Sequence, residues 1–476
     1  MREHIGKCLP DNKAIHEKVE PVDDDISNNV DKDKGYAWII SIGGCLGLFA
    51  TFGALSSYGV FLNFYLNNDV FPSATKYDYA FIGGIVLLLG QSLAPFVVLI
   101  ANFVECRSIV IAGTILYALA FMMASISNQI WQLYITQGLM PGIAISFIFI
   151  PITLVVPTWF DKYLSTGMGI VQSGSGLGGV AISLSLNAVI NKTGNQKWAL
   201  RMQGFIVFFC CIVLSIIIKP RVPATLIKFN KTNLLIKLKK QFDFSVFKSY
   251  PVVILAFWFA IVYTGYTVLS YSLAPYARLV GLSPTQGANL TTILNATQVI
   301  GRPLIGFLAD MFGRNNTTSV VNIILLILVF GFWINVESYQ ALIPFSLLMG
   351  MVCGVGPTMA QSLVSDVVKS HERLIAAWSG FNVFAGIVTL FGEPITLALV
   401  RENSSKPYLH AQIFIGMCFL SGTILLIIVR ESLVRNKLNE ECEDNEEPDK
   451  TSTNINFNLL QKSTSVLTRI FYPMKV

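Results

Sequence analysis

Charge is what this sequence has least of. Only 13% of its 476 residues are Asp, Glu, Lys or Arg, against about 25% in an ordinary soluble domain. With 53% hydrophobic residues and a mean hydropathy of +0.60, a soluble globular protein is excluded and an integral membrane protein is expected. Histidine is scarcer still. His4, His16, His371 and His410 are scattered over tails and helix ends and form no catalytic or metal cluster. The eight cysteines (Cys8, Cys45, Cys106, Cys210, Cys211, Cys353, Cys418 and Cys442) show no CxxC spacing. That excludes a zinc motif and a disulfide framework, and leaves them as small core residues. A membrane enzyme would gather His, Asp, Glu or Cys at one membrane depth, and no such gathering is visible. No enzymatic activity, metal or cofactor is expected.

What the chain has in abundance is long apolar stretches. A bilayer needs about 20 consecutive apolar residues per helix. Such stretches fall near 37–64, 79–102, 108–127, 131–157, 163–190, 202–218, 251–277, 286–309, 317–335, 340–365, 373–399 and 408–429. The expected fold is therefore an all-α membrane protein of twelve transmembrane helices in two six-helix halves. Residues 1–34 form a polar, disordered tail, 35–218 the first half, 219–249 a basic central loop, 250–430 the second half and 431–476 a second polar tail. The first 34 residues are hydrophilic and the first apolar run is too long for a signal h-region, so no cleavable signal is expected.

Basic residues set the orientation. Residues 219–249 carry Lys219, Arg221, Lys228, Lys231, Lys237, Lys239, Lys240 and Lys248. Placing this loop and both tails in the cytosol leaves roughly 26 of the 34 basic residues inside and about seven outside. The net charge of +6 thus reports topology, and nucleic acid is not needed as a partner. The partners expected are a small molecule and the lipid bilayer; an accessory protein leaves no mark in the sequence. A plasma membrane is the default location, with a vacuolar membrane as the alternative. Asn191-Lys192-Thr193 and Asn403-Ser404-Ser405 are glycosylation acceptors in expected outer loops.

Arg302 is the most informative residue. It lies in 291–309, which holds no other charged side chain. A cation at that depth costs at least about 2.5–3.5 kcal/mol on insertion scales and marks a ligand or ion pathway. The competing reading is an arginine that snorkels to the interface. Asn295 and Gln298, seven and four residues earlier, share its helical face. The seventh helix adds a stripe of Tyr263, Tyr266, Thr267, Ser270 and Tyr271, readable as packing or as cavity wall. Tyr58 in the first helix is a further candidate for that wall. Arg302 is expected to bind an anionic group, and Tyr58, Tyr263, Tyr266, Asn295 and Gln298 to shape the pocket.

A weak internal repeat links the halves. Gly306-Phe-Leu-Ala-Asp310-Met-Phe-Gly313-Arg314 follows the eighth helix, and Leu99-Ile-Ala-Asn102-Phe-Val-Glu105-Cys-Arg107 follows the second. Asp310 can accept hydrogen bonds from a helix N-terminus, and Arg314 can donate to carbonyls at a helix C-terminus. Such contacts can hold one conformation and release in another, with Asn102 in the degenerate first copy.

These features resemble the major facilitator superfamily, whose loop motif Gly306–Arg314 matches. Asp33-Lys34-Gly35-Tyr36-Ala37-Trp38 is similar to the start of the first helix in the monocarboxylate transporter family, its fungal branch in particular. Trp159-Phe160-Asp161-Lys162-Tyr163, leading into a run with Gly167, Gly169, Gly174, Gly176, Gly178 and Gly179, is similar to that family's fifth helix. Lys162 then belongs with the switch loops. The glycines allow close helix approach, as static packing or as a sliding surface. Tyr36 and Trp38 suit an interfacial aromatic belt. The resemblance covers residues 33–430 and implies a carrier.

The family's proton-coupled lactate carriers use a lysine in the first helix and an aspartate four residues before the retained arginine. Those positions are Ser56 and Gln298 here. Neither titrates, so lactate–proton symport is not expected. Glu393, before Pro394, is the other membrane charge: it titrates in their stead or caps a proline-broken helix. The expected function is secondary-active or facilitative transport of a small organic anion, or a larger acid-bearing or aromatic metabolite, by alternating access. The rival is a non-transporting receptor or sensor on the same fold.

Overall fold

The computed structural model describes residues 32–445 except 69, 73, 222–225, 242–243, 369, 402–403 and 405. The expected tail at 1–31, the acceptor at Asn403 and the tail beyond 445 lie outside the described residues. The described residues form twelve long helices: α1 Tyr36–Leu62, α2 Lys76–Ala101, α3 Cys106–Ala124, α4 Ile130–Trp159, α5 Leu164–Thr193, α6 Gln196–Ile217, α7 Tyr250–Leu279, α8 Pro284–Phe312, α9 Arg314–Asn335, α10 Tyr339–Val367, α11 Glu372–Leu399 and α12 Leu409–Asn445. Eleven are long and apolar enough to cross a membrane. The twelfth, α8, falls short on composition because it carries Asn295, Gln298 and Arg302. No strand occurs among the described residues.

Several boundaries move. Helix α6 starts at Gln196, six residues before the apolar run, because the Asn195 side chain caps it by accepting from the Lys197 N–H. Helix α12 continues to Asn445, so the boundary at 430 falls inside a helix. Helix-forming Glu, Leu, Arg and Lys recur through that stretch, and no glycine or proline interrupts it. Asn191 sits in the last turn of α5, not in a loop. Within the central loop, Lys231–Gln241 is itself a short helix, tied to α11 by Lys240 on Glu372 at 2.5 Å and by Gln241 Nε2 donating to Ser379 Oγ at 2.8 Å.

One face gathers the start of α1, the α4–α5 turn, the central loop and the α8–α9 turn. Tyr36 donates to the Ile217 carbonyl at 2.8 Å, and Trp159 Nε1 donates to the Lys219 carbonyl at 2.9 Å. We call it the basic face. Tyr36 and Trp38 do more there than sit at an interface. Tyr36 packs on Trp159 and Trp38 on Phe160, each with ring centroids 5.3 Å apart, so the two sequence motifs dock on one another.

The halves meet most extensively along α5 and α8. The glycines of α5 divide between two partners. Gly174 and Gly178, one helical turn apart, face α1, whose backbone widens into π-turns at Phe49–Gly53. Gly169 and Gly176 face α8: a Cβ on either would lie 2.6 Å from the carbonyl oxygen of Arg302 or Asn295. Gly167 packs against Phe160 instead.

Candidate functional site

The α4–α5 turn is held from both halves. Asp33, placed by a left-handed backbone (φ 61°), accepts from the N–H groups of Asp161, Lys162 and Tyr163, each at 3.1 Å. Asp310, at the end of α8, accepts from the N–H groups of Ser165 (3.2 Å) and Thr166 (2.8 Å) and from the Thr166 hydroxyl (2.7 Å). A carboxylate at a helix N-terminus meets free N–H groups and the positive end of the dipole. Gly313 makes the sharp exit possible with φ 102°, and a Cβ on Gly306 would collide with the Ser165 carbonyl.

Arg314 differs from the expectation. It pairs with the Asp366 carboxylate and donates to Ser365 Oγ at 3.2 Å at the end of α10, because a carboxylate there outcompetes the carbonyls. The carbonyl contact belongs to the other copy: Arg107 Nε donates to the Ser215 carbonyl at 2.7 Å. Asn102 turns back on its own helix, donating to the Val98 carbonyl at 2.9 Å, and among the described residues it caps nothing in the second half. Lys162 contributes its backbone N–H to Asp33, while its ammonium lies 5.3 Å from the Tyr163 ring centroid. Two more bonds cross between the halves near this face. Gln361 Nε2 donates to the Thr153 carbonyl at 2.6 Å, and Trp378 Nε1 donates to Thr153 Oγ1 at 3.2 Å. This conformation is thus latched on the basic face.

The Asp310 latch yields a first test. Hydrogen bonds to a charged group contribute about 1.5–3 kcal/mol each. Asp310→Ala should open the basic face, lengthening the distance between spin labels on Lys162 and Met311. An unchanged distance distribution would show that Asp310 does not hold the halves together.

Above the latch lies a narrow central cavity lined from both halves. Arg302 borders it yet is only 2% exposed, so it does not snorkel. Its Nη1 donates to the Gln172 carbonyl at 2.6 Å and to Ser175 Oγ, both on α5; its Nη2 donates to the Tyr266 hydroxyl at 2.7 Å and to Gln298 Oε1. The guanidinium carbon sits 5.4 Å from the Tyr266 ring centroid. Nε has no partner and abuts Gly354, where a Cβ would collide with it. Every acceptor is neutral. No carboxylate lies within 4.0 Å of Arg302 among the described residues.

The six pocket candidates separate in space. Arg302, Tyr263 and Tyr266 line the cavity. Gln298 is fully buried behind them, accepting from Arg302 and from the Tyr266 hydroxyl at 3.1 Å, and Asn295 in turn accepts from Gln298 Nε2 at 3.2 Å. These two orient the arginine and do not line the cavity. Tyr58 lines a separate small cavity inside the first half with Tyr117, Gln137 and Gln203, and donates to the Tyr79 carbonyl at 3.3 Å. On α1, Phe52 and Ser56, four residues apart, share the face that meets the central cavity, and Tyr58 lies on another side. Sequence reasoning missed Phe52, Gln91, Phe149, Phe259 and Trp378, which complete the wall. In an apolar helix these aromatics look like lipid-facing or core residues. Buried Gln91 in α2 was the one legible signal.

Known proteins share this fold and parts of this sequence. The profile of the Major Facilitator Superfamily matches residues 40–277 and 255–471. The chain belongs to the major facilitator superfamily. Among its superfamily relatives, the uncharacterized transporter ESBP6 of Saccharomyces cerevisiae is 40% identical over 410 residues, covering 86% of this chain. The chain spans 61% of that relative's own length. The probable transporter MCH2 of the same organism is 29% identical over 420 residues, covering 86% of this chain and 87% of the relative. The solved structure of the human organic anion transporter MFSD10 (TETRAN) superposes with a TM-score of 0.59 at 15% identity. It covers 82% of this chain and 98% of that one, a likeness of fold. Membership of the superfamily, with eleven apolar spans, makes this a multi-pass membrane protein.

Proposed function

We propose that this protein carries an organic anion with an aromatic body across its membrane by alternating access. One observation carries the reading: Arg302 borders the cavity with no carboxylate partner among the described residues, inside a wall that includes Phe52, Phe149, Phe259, Tyr263, Tyr271 and Trp378. A buried cation with only neutral acceptors is incompletely compensated, and an anionic ligand supplies the missing charge. Aromatic walls favour a flat apolar body, and the few polar groups orient it. The related proteins named as transporters support the carrier role. Ser56 and Gln298 argue against the lactate carriers' proton relay, because Gln298 is engaged in holding Arg302.

Uptake into proteoliposomes tests the reading with three probes: an aromatic carboxylate, its neutral amide and lactate. Uptake of the aromatic acid alone is expected. Equal uptake of the amide would remove the anion from the proposal, and no uptake above empty liposomes would remove the carrier.

The basic face is assigned to the cytosol, since basic residues concentrate there. Leu235, in the short helix of the central loop, is 58% exposed and suits a reporter. Leu235→Cys should resist an impermeant thiol reagent in intact cells and react after permeabilisation. Labelling of intact cells would invert the topology.

A further inference from the structure

Away from Arg302, at the end of the molecule opposite the basic face, a second polar site stands among α7, α11 and α12. Glu393 lies in the first turn of Gly392–Leu399, after a break in α11 at Phe391. It caps nothing: it makes no hydrogen bond or ion pair among the described residues, and its Oε2 is sealed from solvent without a partner. The Tyr408 hydroxyl at the start of α12 is buried beside the Ser272 hydroxyl of α7, and neither makes a hydrogen bond of good geometry. Both Tyr271 and Tyr408 lie within electrostatic reach of the Glu393 carboxylate.

No cation among the described residues compensates it. From α2, the titratable groups of the first turn are engaged elsewhere: Lys76 lies 5.9 Å from the Tyr77 ring centroid, and Asp78 accepts from Thr75 and Tyr134. Arg278, two turns beyond Tyr271 on α7, makes no ion pair with Glu393, and neither does Arg401 beyond the end of α11. A half-buried carboxylate whose sealed oxygen has neither counter-ion nor donor carries a desolvation cost when ionised, which a bound proton removes. A protonated carboxyl also gains an O–H donor.

The site is joined to the central cavity. Tyr271 lies within electrostatic reach of Glu393 and lines the cavity wall, and five residues earlier on the same helix Tyr266 receives the Arg302 guanidinium, with Ser270 Oγ donating to the Tyr266 carbonyl at 2.9 Å. Helix α7 thus carries the anion site at one end of a short stretch and the carboxyl site at the other.

We propose that Glu393, with Tyr408 and Ser272, is a proton-binding site, linked through Tyr271 to the central cavity and loaded and emptied once per transport cycle. The cycle rests on the carrier reading; the proton site itself does not. The stoichiometry is one proton on one carboxylate oxygen, with no other bond made or broken.

Infrared pH-difference spectra of the protein in nanodiscs test it without any substrate. The wild type should show a protonated-carboxyl C=O band that is lost on alkalinisation and absent from Glu393→Gln. Tyr271→Phe should shift that band. With the aromatic acid as probe, Glu393→Gln should lose at least tenfold of the uptake driven by a pH gradient while still quenching protein fluorescence on binding. If Glu393→Gln misfolds, Glu393→Asp keeps the test, because its band should move and persist. A wild-type spectrum without the band, or a band that survives in Glu393→Gln, overturns the proposal. So does a response to sodium at fixed pH with none to pH, which would make the site one for an alkali cation. A band that behaves as expected with no uptake of any acid supports the proton site and sinks the carrier reading alone.

Discussion

Replacing Arg302 by alanine is expected to abolish most transport while leaving the protein in the membrane. Deleting one partner of a buried charge pair costs about 2–5 kcal/mol, so affinity for an anionic substrate should fall by well over an order of magnitude. The same change removes the donors held by the Gln172 carbonyl and Ser175 of the first half and by Tyr266 and Gln298 of the second. Arg302→Lys retains the charge but not the fork: an ammonium cannot span four acceptors in that plane. It should fold, insert and bind more weakly than the wild type. Asn295→Ala should be milder, since Asn295 acts only through its hydrogen bond to Gln298, and a neutral bond contributes about 0.5–1.5 kcal/mol. The measurement is transport per molecule at the membrane for the three variants, beside substrate affinity from fluorescence quenching. Normal specific transport by Arg302→Ala removes the arginine from the substrate site.

The second large effect is expected at Gly176. A Cβ there would lie 2.6 Å from the Asn295 carbonyl oxygen and 3.1 Å from Gln298 Cβ, and backbone cannot yield as a side-chain tip does. Overpacking a well-packed seam costs about 1–3 kcal/mol, and more for larger groups. Gly176→Ala should lower the melting temperature, and Gly176→Val should stop transport by keeping α5 and α8 from closing. Gly59 is the control, because a Cβ there would meet nothing within 4 Å; Gly59→Ala should melt and transport like the wild type. If Gly176→Val transports normally, this seam does not close during the cycle.

Glycine pairing shows how far sequence reasoning reached. That the glycines of α5 permit close approach is a consequence of having no side chain. Which helix each one approaches is not. Gly169 and Gly176 are seven residues apart and point to α8, while Gly174 and Gly178 point to α1. The assignment depends on where the neighbouring helices lie. Tyr58 failed for a related reason. Phe52, Leu55 and Ser56 hold the face of α1 that meets the central cavity, and Tyr58, two residues past Ser56, is turned away from it into a different cavity.

Composition and the spacing of apolar runs sufficed for the helices, the two halves and the rarity of charge within the membrane, because each helix satisfies its own backbone bonds and every stretch in lipid must be apolar. Arg302, Glu393, Asp310 and the glycine-rich run stood out for the same reason: in such a chain each breaks a local rule at a cost. Their partners were not legible. Gln172, Ser175 and Tyr266 reach Arg302 from two other helices, Asp33 and Asp310 close on one turn from opposite halves, and Tyr271 lines the cavity within electrostatic reach of Glu393. Those pairings are separated by up to 145 residues. Only the packing of helices, within each half and between the two, brings them within hydrogen-bond or Coulomb range, and so only tertiary structure decided which buried charge is satisfied and which is left open to a ligand.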